Sequence, residues 1–232
     1  MSAPGTRGAD RVPLLTVAAA RLLRDGQVCL AVPGLPLAAA RLARATHAPG
    51  LTILHADGQV EGGPAVPLAE LYGWLQAGLV DVGVLTATQV DLFGNLGDTA
   101  LGEYDEPTQR LPGAGILAAV AAHARETVVV LTHGLRSFVD RVDVVTAVGY
   151  GTGPVDRPAL GLPGGGPTAV VTDLAVLRPD PGTAELVLTD LHPGVALEQV
   201  RAETGWELEI ADEVVTTPEP TAGELAALDG GR

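Results

Sequence analysis

Lysine is absent from this 232-residue chain, and all 14 basic residues are arginine. No Schiff-base lysine and no phosphate-binding lysine can therefore come from it. Positive charge is also scarce: 28 acids against 14 arginines give a formal net charge of −14, with no basic run. A polyanion would be repelled, so nucleic acid is not an expected partner. The single cysteine, Cys29, sits in the apolar run VCLAV. It has no partner within the chain, which fits a reducing cytoplasm, and it reads as core. No Cys/His cluster has metal-ligand spacing, so no metal is expected. Aromatic residues make up 3% of a chain that is 47% hydrophobic. Its core must be built from Val, Leu and Ala, the composition of α/β layers. No apolar run reaches roughly 18 residues, so no membrane span is expected. The opening MSAPGTRGADR has no apolar stretch, so no secretory signal is expected and the place is read as cytoplasmic.

The rest of the pattern is an alternation of elements. Residues 1–10 read as a flexible lead and 11–232 as a single domain. Helical spacing is present at 12–23, 35–46, 66–78, 113–125, 196–204 and 221–228. Short apolar runs predict strands at 28–32, 51–54, 80–84, 127–132, 143–148 and 208–215. TAVVTDLAVL (168–177) and AELVLTDL (184–191) flank a PDPG turn and read as a hairpin. The order implies an α/β fold: a mostly parallel sheet covered on both faces, with a β-hairpin region near the C-terminus. Sites in such sheets lie beyond the carboxyl ends of the strands. The turn HADG (55–58), the segment TQVDLFGNL (88–96) and the GAG loop (113–115) are candidates for that edge.

Several of these segments are similar to known ones. GVLTATQVDLFGNL (83–96) resembles a segment of the β subunits of family I CoA-transferases, in the glutaconate and 3-oxoadipate group. RLPGAG (110–115), HGLRSFVDRVD (133–143), GLPGGGP (161–167), LHPGV (191–195) and the TGWEL and TTPEPTAGEL stretches match in the same order. The resemblance spans about residues 12–228. It implies the three-layer α/β fold of that family, no cofactor beyond coenzyme A as part of the substrate, and a separate α subunit, in a heterodimer or an α2β2 heterotetramer.

The same resemblance gives Ala56 its weight. The transferases carry there a glutamate whose carboxylate attacks the acyl-CoA thioester, and a methyl group cannot do this. Asp57 is one residue along, on the opposite side of an extended segment. Glu61 would reach only if the loop folded back. One branch that resembles the transferases has a cysteine at this position and decarboxylates 3-methylglutaconyl-CoA to 3,3-dimethylacryloyl-CoA, on the route to isovaleryl-CoA. Another branch hydrolyses a ring in cholesterol catabolism. Decarboxylation needs an oxyanion hole, a dry pocket and a proton donor, but no nucleophile. A decarboxylase β subunit is therefore the preferred expectation. A CoA-transferase or acyl-CoA hydrolase subunit and a non-catalytic scaffold are the alternatives. A native alanine and a substituted cysteine both fit the sequence.

The expected catalytic positions are Ala56, His55 as proton donor or orienting group, and Asn95, whose amide could hold the thioester or carboxylate. Expected substrate or CoA contacts are Gln89, Phe93, Gly94, Gly113, Ala114 and Gly115, the glycine loop offering backbone N–H groups to an oxyanion. Ile116 departs from a family glycine and narrows that loop. His133, Arg136, His192 and Gly164–Gly166 read as structural.

Overall fold

The computed structural model describes residues 7–111, 113 and 115–230. In chain order its elements are α1 (Arg7–Ala20), β1 (Val28–Ala31), α2 (Leu35–Thr46), β2 (Thr52–His55), α3 (Leu68–Gln76) and β3 (Val82–Leu85). Four short strands follow: β4 (Gln89–Val90), β5 (Leu96–Gly97), β6 (Ala100–Gly102) and β7 (Pro107–Arg110). Then come α4 (Leu117–His123), β8 (Glu126–Val130), α5 (Asp156–Ala159), β9 (Pro167–Val171), β10 (Ala175–Pro179) and β11 (Leu186–Leu191). The last are α6 (Leu197–Ala202), β12 (Ile210–Thr216) and α7 (Ala222–Gly230).

Eight strands form one sheet in the order β12-β11-β10-β9-β8-β3-β1-β2. From β2 to β9 every neighbouring pair is parallel. β10 is antiparallel to both its neighbours, and β12 is parallel to β11. The parallel strands are nearly continuous apolar runs because helices cover both of their faces. Alternation divides the side chains. Cys29, Ala31, Val82, Val84, Val128 and Val130 join a core with α1 and α2, which Ala227 and Leu228 of α7 also touch. Leu30, Leu85, Val129 and Leu131 join a second core with α3, α4 and Trp206. The result is three layers, as the sequence pattern implies. Among the described residues, no helix is long and apolar enough to cross a membrane.

Several elements differ from their sequence reading. Helix α1 begins at Arg7, inside the stretch read as a flexible lead. The run at 168–177 is two strands, not one: the chain reverses at Thr172–Leu174, where Thr172 Oγ1 accepts from the backbone N–H groups of Leu174 and Ala175. Residues 143–148 form no strand. Asp143 and Thr146 spend their side chains on neighbouring loops, and only Ala147 bridges to Leu96. The helix expected at 113–125 is confined to α4.

Candidate active site

Strand β2 is the outermost strand of the parallel end of the sheet, and it finishes at His55. The chain then folds back in a tight turn. Gly58 N–H donates to His55 O at 3.0 Å, and His55 N–H donates to Gln59 O at 2.8 Å. This is the pattern of a three-residue hairpin loop, with Ala56 and Asp57 as its central pair and a left-handed glycine closing it. Gly58 has φ +90°, and a Cβ on it would lie 2.3 Å from Val66 O. Only glycine fits both demands. Asp57 accepts from Gln59 N–H at 3.0 Å, an Asx turn that uses this carboxylate locally.

The end of β2 and the start of the turn send their side chains to different faces of the sheet. Ala31, His55 and Val84 are in register, and Val32 and Ala56 are the first residues past the ends of β1 and β2, while Leu85 is the last of β3. Ala56 and Val32 are partly buried against the α3/α4 core, to which Leu85 belongs. His55 points the other way, where Nε2 donates to Glu61 Oε2 at 2.9 Å. His55 and Ala56 therefore do not share a pocket, which overturns the expectation of His55 as a proton donor beside Ala56. Glu61 is no better placed as a stand-in nucleophile. It also lies on the His55 side and is held by α2: Arg41 Nε donates to it at 2.9 Å and Arg44 Nη2 at 2.7 Å. Burial pushes its carboxyl up, but the hydrogen bonds from Arg41 and His55 and the two arginine charges outweigh this and hold it below the usual range. Beside Glu61 opens a cleft of about 880 Å³ between α1, α2 and α7.

On the Ala56 face the wall is apolar. Val32, Ala56 and Leu85 all belong to the α3/α4 face of the sheet, at or just past the ends of β1, β2 and β3. Helix α4 precedes β8 and packs on this face, so its amino end rises to the same edge. Gly113 and Gly115 immediately precede it, at φ +87° and +43°. Gly113 N–H already donates to Asp98 O at 2.9 Å, so in this structure it is not a free oxyanion donor. Ala114 lies outside the described residues.

The FGN segment ends elsewhere. From the carboxyl edge at Thr88 the chain runs across the sheet, and its turn packs against Pro167, the first residue of β9. Phe93, Gly94 and Asn95 therefore lie at the amino-terminal edge, opposite to Ala56. Asn95 has no capacity left for a ligand. Nδ2 donates to the Asp91 carboxylate and to Gly151 O at 2.7 Å, and Oδ1 accepts from Gly149 and Gly151 N–H. The backbones meet so closely that a Cβ on Gly149 would lie 2.3 Å from Gly94 C. Gln89 is likewise occupied: it donates to Asp143 Oδ2 at 3.2 Å and accepts from Asp143 N–H at 3.1 Å. These residues pin loops together.

His133, read as structural, is buried and stacked on Phe138 at 3.8 Å. Its ring nitrogens meet Thr172 and Thr204 hydroxyls, and burial lowers its pKa to about 3, so it stays neutral. His192 is also buried, between Thr217 Oγ1 and Thr172 O. Among the described residues, no group of three or more His, Cys, Asp or Glu could hold a metal.

The family model described as "Coenzyme A transferase" matches residues 67–203. The β subunit of the 3-oxoadipate CoA-transferase of Pseudomonas knackmussii is 42% identical, over 93% of this chain and 90% of its own length. Among solved structures, the glutaconate coenzyme A-transferase of Acidaminococcus fermentans superposes with a TM-score of 0.86 at 28% identity, covering 93% of this chain and 92% of that one. The decarboxylase AibA/AibB superposes at 0.80 with 25% identity, covering 94% and 92%. A cysteine-to-alanine variant of that decarboxylase superposes equally well. At 25% identity this chain is a different protein from that variant.

Proposed function

Because this chain belongs to the coenzyme A transferase family, we propose that it is the β subunit of a heteromeric acyl-CoA enzyme that decarboxylates a glutaconyl-type thioester instead of transferring CoA. The substrate proposed is 3-methylglutaconyl-CoA, and the product is 3,3-dimethylacryloyl-CoA. One observation carries the reading: the position at which the resemblance puts the transferases' carboxylate is Ala56, whose methyl lies against the apolar α3/α4 core. Neither nearby acid takes over. Asp57 caps its own turn, and Glu61 is clamped on the other face.

The chemistry balances without a nucleophile. The bond between the γ-carbon and its carboxylate breaks, and CO₂ departs. The electron pair spreads through the dienolate to the thioester oxygen. A proton then adds at the γ-carbon and the thioester carbonyl re-forms. A dry wall favours this step, because loss of CO₂ begins by stripping water from a carboxylate. Charge on the thioester oxygen calls for backbone donors, and Gly115, just ahead of α4 at the carboxyl edge, is the residue proposed to contribute one, since Gly113 N–H is already spent on Asp98 O. With His55 facing away, the proton donor is assigned to the α subunit.

A partner is part of this proposal. The 3-oxoadipate CoA-transferase relative is one subunit of its enzyme, and the decarboxylase AibA/AibB joins two named chains. Ala56 follows the outermost strand of the parallel end of the sheet and is only half-buried. A second reading, CoA transfer, is favoured by the 42% identity to that transferase subunit. Mass spectrometry of the co-purified complex separates the two. Incubation with 3-methylglutaconyl-CoA should yield an acyl-CoA lighter by one CO₂. Acetyl-CoA formed from added acetate, with no loss of CO₂, would reject decarboxylation in favour of transfer.

A further inference from the structure

We propose that Glu61 is a positioning residue that fixes the turn carrying residue 56. This rests on the reading that residue 56 borders the reacting acyl group. Three side chains converge on one carboxylate: His55 from the end of β2, and Arg41 and Arg44 from α2. The backbone of Glu61 is engaged as well, its N–H donating to Ile53 O at 2.9 Å and its carbonyl accepting from Arg44 Nη1 at 3.3 Å. Glu61 thus ties the returning arm of the hairpin both to the strand it left and to the helix beside it. The other end of the turn is set independently, by Gly58 against Val66. Residue 56 sits between these two anchors, and its side chain emerges on the face opposite to the clamp. The clamp therefore never touches the acyl group. It acts by holding the methyl of residue 56 against the α3/α4 core.

The chain suits a direct test. Its one cysteine is fully buried, and burial pushes that thiol up to about 12, so it resists alkylation. In the complex with the α subunit, Ala56→Cys supplies a reporter thiol at the turn, and iodoacetamide labelling of that peptide is followed by mass spectrometry. Adding Glu61→Ala should raise the labelling rate about tenfold, as expected when a local opening becomes more populated. Glu61→Gln keeps one acceptor and should fall between. If Glu61→Ala does not assemble, Glu61→Gln decides alone. Labelling rates within about twofold of the Ala56→Cys parent would overturn the proposal. With residue 56 left as alanine, Glu61→Gln should lower kcat for decarboxylation while KM moves little. A loss confined to KM would also overturn it. Labelling needs no turnover: faster labelling in a complex whose parent releases no CO₂ would sustain the clamp and reject the decarboxylase reading.

Discussion

Gly58→Ala isolates what the turn at residue 56 demands of its backbone. Two costs fall on the alanine. A left-handed φ costs a residue with a Cβ about 1–2 kcal/mol. The new Cβ would also lie 2.3 Å from Val66 O, a backbone atom that cannot swing aside. Relieving such overlap costs about 1–3 kcal/mol more. The sum is about 3 kcal/mol, or a fall in Tm of about 6–12 °C for a chain of this size. Gly62 is the internal control. It also has a left-handed φ, of +81°, but its added Cβ meets nothing within 4 Å. Gly62→Ala should cost only the backbone term, about 1–2 kcal/mol. Urea denaturation of both variants gives the difference directly. Equal losses would show that Val66 yields freely and that the turn is not wedged as described.

Three other outcomes follow from the same geometry. His133 is neutral in the fold down to pH about 3 but takes a proton near 6.5 when unfolded, so its contribution is full above pH 6.5 and is lost as pH falls. Stability should decline by up to about 1.4 kcal/mol per pH unit from this group, and His133→Gln should flatten the curve between pH 6.5 and 4.5; an unchanged slope would contradict the assignment. Arg157 is buried and donates to the carbonyls of Ala121, Val148, Gly149 and Gly164. Arg157→Met should cost about 4 kcal/mol through stranded acceptors, and a loss under about 1.5 kcal/mol in urea titration would show that they find other donors. Ala56→Glu should not produce rapid acetate-dependent CoA exchange, because the buried Ile116 narrows the loop on the same face; fast exchange by isotope labelling would reverse this expectation.

The parallel half of the sheet was legible because its strands are apolar runs between helical spacings, as at 28–31 and 126–130. The position of Ala56 at a carboxyl strand end was legible for the same reason. Its surroundings were less so. His55 ends β2 with its ring on Glu61, while Ala56, the first residue of the turn, packs against the α3/α4 core, and adjacency in sequence does not reveal that divergence. Asn95 and Gln89 are amides beside a glycine turn, and nothing local tells a ligand contact from a loop pin. Their partners lie 54 and 56 residues away in sequence. Residues 143–148 alternate like a strand, yet Asp143 and Thr146 are used as side-chain ties. The Glu61 clamp joins residues 6, 17 and 20 positions apart, two of them arginines that read as an ordinary solvated helix face.

The turn at residue 56 lies on an edge strand, outside the close-packed interior, and its geometry depends on Gly58 and Glu61 more than on the side chain it displays. Ala56 is half-buried against the margin of the α3/α4 core, so its side chain meets that core at its edge. The backbone of the turn is thus specified apart from residue 56, while any chemistry placed there must still suit its neighbours, Ile116 included. Such a layout separates the inheritance of the fold from the inheritance of the reaction. A lineage can lose one chemistry through a single codon while the turn persists, whereas regaining it asks for changes in the neighbouring loop as well.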